Sequence, residues 1–377
     1  MVRYEVKKFK GIINKLKCID SWFWCAYTVN PYNGCAHDCI YCDGRTRKYN
    51  MHSDFEETIF VKKGAAEALD KKIRQSRTML PDVVSMGGVC DAYQPAEVEY
   101  KVTRGILEVL HEHRFPIFLL TKSDLITRDL DVIAAINDRS WATVACTVTT
   151  VDDVLAMVLE PGASLPSKRF AALAKVKREH PAIQTGVCAM PIIPYLEDSD
   201  DQIDALAART KETGADFLIF APGVSMRDQQ ASYMLRKLQA AFPREHDLFM
   251  KTYMADEAFK ARWTRDMNAK ILTACKKYNL AIRAKRFIPS DHRKHNYTIA
   301  ERLLNKSYEA QLAGKQWKAY FWAGHGVQML EESIVDVHAR GGLPGIKCMT
   351  AVIAGEITPW IPRRQGLDRF LPGKAVE

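Results

Sequence analysis

The 377-residue chain has no apolar run approaching the roughly 18 residues that span a bilayer. Its long apolar stretches, such as 115–120 and 217–221, are strand-sized. The N-terminus is basic from the outset and lacks the apolar segment of roughly 7–15 residues that a signal peptide requires. Ten cysteines are too few for a disulfide scaffold in a chain of this length, so a reducing, cytoplasmic setting is expected. No internal repeat or low-complexity linker interrupts the sequence. These absences exclude membrane-spanning, secreted and fibrous classes. What is present, 47% hydrophobic and 26% charged residues, is the balance of an ordinary globular chain.

Lys and Arg number 54 against 45 Asp and Glu, giving a formal net charge of +9. The excess is uneven. Arg3, Lys7, Lys8, Lys10, Lys15 and Lys17 are opposed by Glu5 alone in the first segment, and Arg283, Lys285, Arg286, Arg293 and Lys294 by Asp291. Such patches attract phosphate backbones, and a solvated basic surface has the same composition.

From about residue 26 to 221, short β-rich runs alternate with helical stretches. The expected strands are 26–31, 82–86, 116–120, 143–149, 184–190 and 216–221. Between them, Val98, Val102, Ile106 and Val109 recur at helical spacing and mark one apolar face. Ser167, after Pro166, is placed to cap a helix carrying Phe170, Leu173 and Val176. Residues 201–213 read as a further helix, stopped by Gly214. Six β-then-α units predict an α/β fold with a parallel sheet and right-handed crossovers, a partial (βα)6 barrel of the TIM type. Past residue 225 the pattern is mostly helical, with apolar Met234, Leu238, Phe242, Leu272, Cys275 and Tyr278. The expected organisation is a basic segment 1–25, a core 26–224 and a helical, basic extension 225–377. In such barrels chemistry collects on the loops at the C-terminal ends of the strands.

The first such loop reads Asn30-Pro31-Tyr32-Asn33-Gly34-Cys35-Ala36-His37-Asp38-Cys39-Ile40-Tyr41-Cys42, a C-x3-C-x2-C spacing. Three thiolates this close can wrap three irons of a 4Fe–4S cube, leaving the fourth iron without a protein ligand. The amino and carboxylate groups of S-adenosylmethionine can then chelate that iron. One electron passed to the sulfonium releases a 5′-deoxyadenosyl radical, chemistry that belongs to the cofactors rather than to the protein. The competing reading is a zinc knuckle built from the three cysteines and His37. Zinc sites usually pair C-x2-4-C with a distant second pair, and none with that spacing follows here.

The spacing, with an aromatic before the last cysteine, resembles the signature of radical S-adenosylmethionine enzymes. The wider blocks NPYNGCAHDCIYC, CDAYQP, TKSDLITRDLD, TTVDD and LEPGASLPSKR resemble the spore photoproduct lyase, or DNA repair photolyase-like, group over residues 27–200. The resemblance implies that Cys35, Cys39 and Cys42 hold the cluster and that Tyr41 lies over the adenine. It implies that Gly87 and Gly88, ending the second strand, receive the methionine amino group through backbone that no Cβ shields. Lys122, ending the third strand, would meet the methionine carboxylate. Thr147 and Thr149 alternate near the end of the fourth strand, share one face, and could bond ribose hydroxyls. An external electron donor such as a flavodoxin or ferredoxin is implied as a partner.

Lyases of this group carry a hydrogen-donating cysteine near the second strand end, at a position that pairs with Gly88. Cys90 lies two residues on, which in an extended chain restores the same facing, so it is the candidate catalytic thiol. An inert packed cysteine is the other reading. Glu160-Pro161-Gly162 with Lys168 and Arg169 resembles a family loop from which Arg169 could reach substrate. Pro191-Ile192-Ile193-Pro194 is expected to shape the adenine pocket. The sequence departs from the group at Asp43, where a tyrosine is usual, and in its C-terminal third. The expected function is radical cleavage of a lesion in nucleic acid. The same chemistry on a peptide, tRNA or small metabolite stays open, and a structural zinc or iron–sulfur binding module fits poorly with so large a scaffold.

Overall fold

The computed structural model describes residues 2–9, 11–49, 51–52 and 54–362. Ten strands follow one another as β1 (Arg3–Lys7), β2 (Ile13–Lys15), β3 (Tyr27–Val29), β4 (Tyr32–Asn33), β5 (Thr58–Lys62), β6 (Val84–Met86), β7 (Ile117–Thr121), β8 (Ala142–Thr147), β9 (Gln184–Ile192) and β10 (Phe217–Pro222). Six of them, β3, β6, β7, β8, β9 and β10, lie side by side in that order and all pair in parallel. They are the six expected strands. β8 is buried at every position, Thr143 and Thr147 included, as a strand covered on both faces should be. Helices Ala65–Gln75, Val102–Glu112, Leu130–Arg139, Pro166–Glu179 and Asp200–Glu212 connect the strands. The result is the expected α/β half-barrel, whose interior holds Phe118, Ala145, Cys188 and Ile219.

Several local expectations change. The apolar face expected from Val98 is interrupted: helix Ala96–Tyr100 ends at Lys101, whose φ of 49° starts a new helix with a rotated face. Val98 is left 63% exposed; of the expected face Ile106 is buried, and Thr103, Leu107 and Leu110 turn inward with it. Ser167 does not cap its helix, which begins at Pro166; its hydroxyl donates to Asp153 at 2.6 Å. Ser199 closes a capping box with Gln202 at the next helix, and Gly214, at φ 77°, follows its end.

The expected domain boundaries also shift. The chain divides into compact units Met1–Phe287 and Ile288–Glu377. The N-terminal segment is not separate, since β1 pairs with β5 and β2 pairs with β3. Beyond residue 225, Ala281 runs beside β10, with the Leu218 N–H donating to its carbonyl at 2.8 Å. Trp24 Nε1 donates to the Ala284 carbonyl at 2.9 Å, and Ala284 packs in the barrel interior. Arg283 and Arg286 therefore do not form a solvated patch: both lie over the Trp24 ring, and Arg286 is buried. Lys10 of the first basic patch lies outside the described residues. In the second unit, helices Arg293–Leu312, Lys318–Gln328, Ile334–Ala339 and Ala351–Ile357 enclose Ile299, Leu303, Val327, Ile334 and Ile353. Among the described residues no helix is long and apolar enough to cross a membrane.

Candidate active site

The cysteine loop follows β3 and is held by backbone and side-chain bonds on every side. Cys35 N–H donates to the Phe55 carbonyl, Ile40 N–H to that of Leu159 and Gly162 N–H to that of His37, each at 2.9 Å. Gln94 works as a clamp: its Oε1 accepts from Ala36 N–H at 3.0 Å and its Nε2 donates to the Gly34 carbonyl at 3.1 Å. Gly162 has to be glycine, because a Cβ there would stand 2.0 Å from the Ala36 carbonyl oxygen. The blocks CDAYQP and LEPG are thus the walls against which the loop is pressed.

Cys35 and Cys39 are buried, and Cys42 is partly so. Burial pushes all three thiols up, Cys39 to about 12, while Lys122 pulls Cys39 and Cys42 back toward the thiolate. Buried thiols with cations facing them suit a metal centre, whose own charge displaces the protons. Among the described residues, the one group of three His, Cys, Asp or Glu ligand atoms within 4.8 Å of one another is Asp70, Glu112 and His113. Three thiols from one loop are the donor set of a 4Fe–4S cluster that keeps one iron free of protein ligands.

β6 runs into Gly87, whose φ of 95° and whose missing Cβ are both required: a Cβ would meet the Leu120 carbonyl oxygen at 1.8 Å. Gly88 has open space where its Cβ would be. Beyond them, Asp91 ties the second and third strand ends to the cysteine loop. Its carboxylate accepts from the Thr121 hydroxyl and the Lys122 N–H, both at 2.7 Å, and from Tyr93 N–H at 2.8 Å. His37 Nδ1 stands 3.3 Å from its Oδ2. Burial works against the Asp91 charge, but His37 and these donors outweigh it and hold the carboxyl well below the usual range.

Lys122 carries its ammonium 5.6 Å from the centre of the Tyr41 ring. Burial disfavours that charge, and the facing Cys39, Glu160 and Cys42 outweigh it, so the amine titrates above an ordinary lysine. The Tyr41 hydroxyl donates to Glu160, and Arg169 pairs with the other Glu160 oxygen. Arg169 also donates to the carbonyls of Ser164 at 2.6 Å and Thr147 at 2.8 Å. Burial alone would raise the Glu160 carboxyl, and Arg169 with Lys122 reverse that. Helix Asp228–Ala241 closes one side of the site through Gln230, which donates to the Tyr41 carbonyl at 3.2 Å.

These elements enclose a cavity of about 340 Å³. Cys35, Cys39, Tyr41, Cys42, Gly87, Gly88, Lys122 and Thr147 all line it, as does Pro191. Of the expected Pro191–Pro194 wall only Pro191 does, and Thr149, Arg169 and Cys90 do not. Thr149 is buried beside Glu197, with which it hydrogen-bonds. Arg169 is turned to Glu160 and is only 1% exposed, so it holds the site from behind and does not reach into the cavity. Cys90 packs with Cys35 and Phe55 and is fully buried. The extended-chain premise for Cys90 fails because the strand ends at Met86 and the chain bends from Gly87 to Cys90. From the sequence Asp91 and Gln94 have no assigned role, His37 enters only as a zinc ligand and Glu160 only as part of a family loop. Their presence in the quoted blocks was the available signal, and nothing local told which partner each would find.

The sequence model of the Radical SAM superfamily matches residues 29–225, from β3 to just past β10. The chain belongs to the Radical SAM superfamily, whose cofactors are a 4Fe–4S cluster and S-adenosylmethionine. It is 28% identical over 259 residues to an uncharacterized protein of Mycobacterium tuberculosis, covering 68% of this chain and 75% of that one. An uncharacterized protein of Methanocaldococcus jannaschii is 31% identical over 173 residues, covering 46% of this chain and 62% of its own. Among solved structures, a variant of spore photoproduct lyase with bound AdoMet and dinucleoside spore photoproduct aligns with a TM-score of 0.50. That match has 14% identity and covers 73% of this chain and 78% of the other, a likeness of fold.

Proposed function

We propose that this radical S-adenosylmethionine enzyme acts on a nucleic acid as a lesion lyase, breaking a carbon–carbon bond in a modified base. The observation that carries the chemistry is the convergence of the three thiols, the Gly87-Gly88 turn and Lys122 on one cavity at the C-terminal strand ends. When bound there, the cluster and S-adenosylmethionine together supply a 5′-deoxyadenosyl radical. The other tasks fall to the chain. Cys35, Cys39 and Cys42 hold the irons, and Asp91 keeps their loop in register with the strand that carries Lys122. The backbone at Gly88 and the Lys122 ammonium receive the amino and carboxylate ends of the methionine. Tyr41, fixed by Glu160, flanks the adenine, and Thr147 bonds a ribose hydroxyl. Phe23, Met190 and Val224 give the cavity apolar wall, which keeps water from the reacting carbon.

Support for a nucleic acid comes from the sequence blocks and the net charge of +9. The solved structure that shares this fold holds a dinucleoside lesion, which sets the class of substrate to try first. Asp43, which lines the cavity, favours a second reading in which the same chemistry modifies a peptide, tRNA or small metabolite. The test is anaerobic reconstitution followed by measurement of 5′-deoxyadenosine with and without ultraviolet-damaged DNA. Stimulation by damaged DNA over intact DNA is the expected result. Equal, unstimulated turnover in both would remove the lesion-lyase assignment.

A further inference from the structure

The lip of the cavity is built from two segments distant in sequence, and Asp43 is their junction. Asp43 lines the cavity with Gly44 and Ser225. Tyr49 Oη donates to Asp43 Oδ2 at 3.2 Å, and Arg227 Nη1 stands 4.0 Å from Oδ1. Alongside, Arg47 N–H donates to Asp228 Oδ2 at 3.3 Å, and Lys48 Nζ lies 5.5 Å from the centre of the Tyr49 ring. Arg47, Lys48 and Arg227 are all exposed. Their neighbour Arg45 is different: it is buried, paired with Asp38 and Glu56 and stacked on Tyr233, so it anchors the loop and presents no charge outward.

None of the three cations lines the cavity itself; they gather just outside it around Asp43 and Asp228, whose carboxylates are engaged by Tyr49, Arg227 and the Arg47 backbone. Neither basic patch legible in the sequence has this position. Arg283 and Arg286 are committed to Trp24, and Lys7 is engaged with Glu5 and Phe60, neither of which lines the cavity. A base that reacts inside an enclosed cavity has to be turned out of its stack, so its backbone crosses the lip. Guanidinium groups bind phosphate oxygens in bidentate fashion, and an aromatic ring offers a neighbouring base a stacking face without sequence preference.

We infer that Arg47, Lys48 and Arg227 form the seat for the phosphodiester backbone of a single nucleic-acid strand, with Tyr49 placed to stack a base beside the cavity. The inference rests on the nucleic-acid reading above and adds where the strand lies. It is tested by fluorescence anisotropy of a labelled single-stranded oligonucleotide on the reconstituted full chain with S-adenosylmethionine, titrated between roughly 50 and 200 mM salt. The variant is Arg47→Ala/Lys48→Ala/Arg227→Ala. Affinity should fall about ten- to a hundredfold, and the log–log salt slope should shrink by about 2, near 0.7 for each of three lost phosphate contacts. Cluster absorbance and S-adenosylmethionine affinity should stay as in the wild type, which shows that the site is intact. Arg47→Lys/Arg227→Lys should recover most of the slope, and Lys7→Ala/Lys8→Ala/Lys15→Ala/Lys17→Ala should retain affinity. Wild-type slope and affinity in the lip variant would overturn the inference while leaving the nucleic-acid reading standing. A wild type that binds no oligonucleotide in a salt-dependent way would overturn both. Equal competition by polyglutamate would replace the strand with an acidic peptide and overturn the seat as assigned.

Discussion

The hydroxyl of Tyr41 donates to the carboxylate of Glu160, joining the aromatic of the cysteine motif to a loop more than a hundred residues away. Arg169 closes the arrangement by pairing with Glu160 and reaching the Thr147 carbonyl at 2.8 Å. The three residues hold the first loop, the end of β8 and the loop after helix Asp153–Leu159 in one buried network. Glu160→Gln would leave the Arg169 guanidinium buried without its counter-charge, a change that costs about 3–5 kcal/mol when a buried pair is broken from one side. Anaerobic denaturation should show that loss together with weaker S-adenosylmethionine binding. Wild-type values for both would mean that the network does not position Tyr41.

Cys39→Ala should abolish the 4Fe–4S absorbance and all cleavage of S-adenosylmethionine. The substitution removes one of the three thiols that line the cavity together. Iron and sulfide analysis after anaerobic reconstitution decides it. A full iron complement in the variant would refute the ligand assignment.

Lys122→Ala should leave cluster absorbance in place and weaken S-adenosylmethionine binding. Losing a hydrogen bond to a charged group costs about 1.5–3 kcal/mol, roughly ten- to a hundredfold in affinity. Equilibrium binding on the reconstituted protein measures it, and an unchanged dissociation constant would remove Lys122 from the site.

The cysteine loop and the strand-end residues of the cavity were legible because loop position and strand ends are local properties. Each candidate strand carried its own apolar run, and Cys35, Cys39, Tyr41 and Cys42 sit within eight positions of sequence. Cys90 misled for a physical reason: its facing depended on backbone staying extended past Met86, and Gly87 bends it. Asp91 and Glu160 were not legible as site residues because their roles depend on Thr121, Lys122, Tyr41 and Arg169, partners fixed by tertiary packing. The basic cluster at 283–286 misled in the same way, since composition does not reveal that Trp24 lies beneath it.

Cys90→Ala should turn over substrate to the same product as the wild type. Its thiol packs with Cys35 and Phe55 and does not line the cavity, so the expected effect is a packing loss of about 1 kcal/mol. Product analysis by mass spectrometry checks it. Trapped or aberrant products with normal S-adenosylmethionine cleavage would restore the hydrogen-donor role.

Glu197 should make stability depend on pH. It lies fully enclosed in the loop after β9, where the Ile193 N–H donates to its Oε2 at 2.8 Å and Thr149 hydrogen-bonds it. Burial pushes its carboxyl up to about 8; those two bonds oppose the shift, and the nearby Glu160 and Asp198 reinforce it. An unfolded glutamate titrates near 4.3. Between these values the folded chain holds a proton that the unfolded chain has released, so stability falls as pH rises and the loss levels off above the folded value. Below the unfolded value the contribution is fully present. The slope in this window is about 1.4 kcal/mol per pH unit. Glu197→Gln keeps the shape and cannot ionise, so the variant should gain on the wild type steadily from about pH 5 to 8. Anaerobic denaturation of both proteins at several pH values, compared as a difference, isolates this group from every other that titrates. Parallel curves across that range would show that Glu197 is ionised in the folded protein, and the enclosed carboxyl would then need a cation that the described residues do not supply beside it.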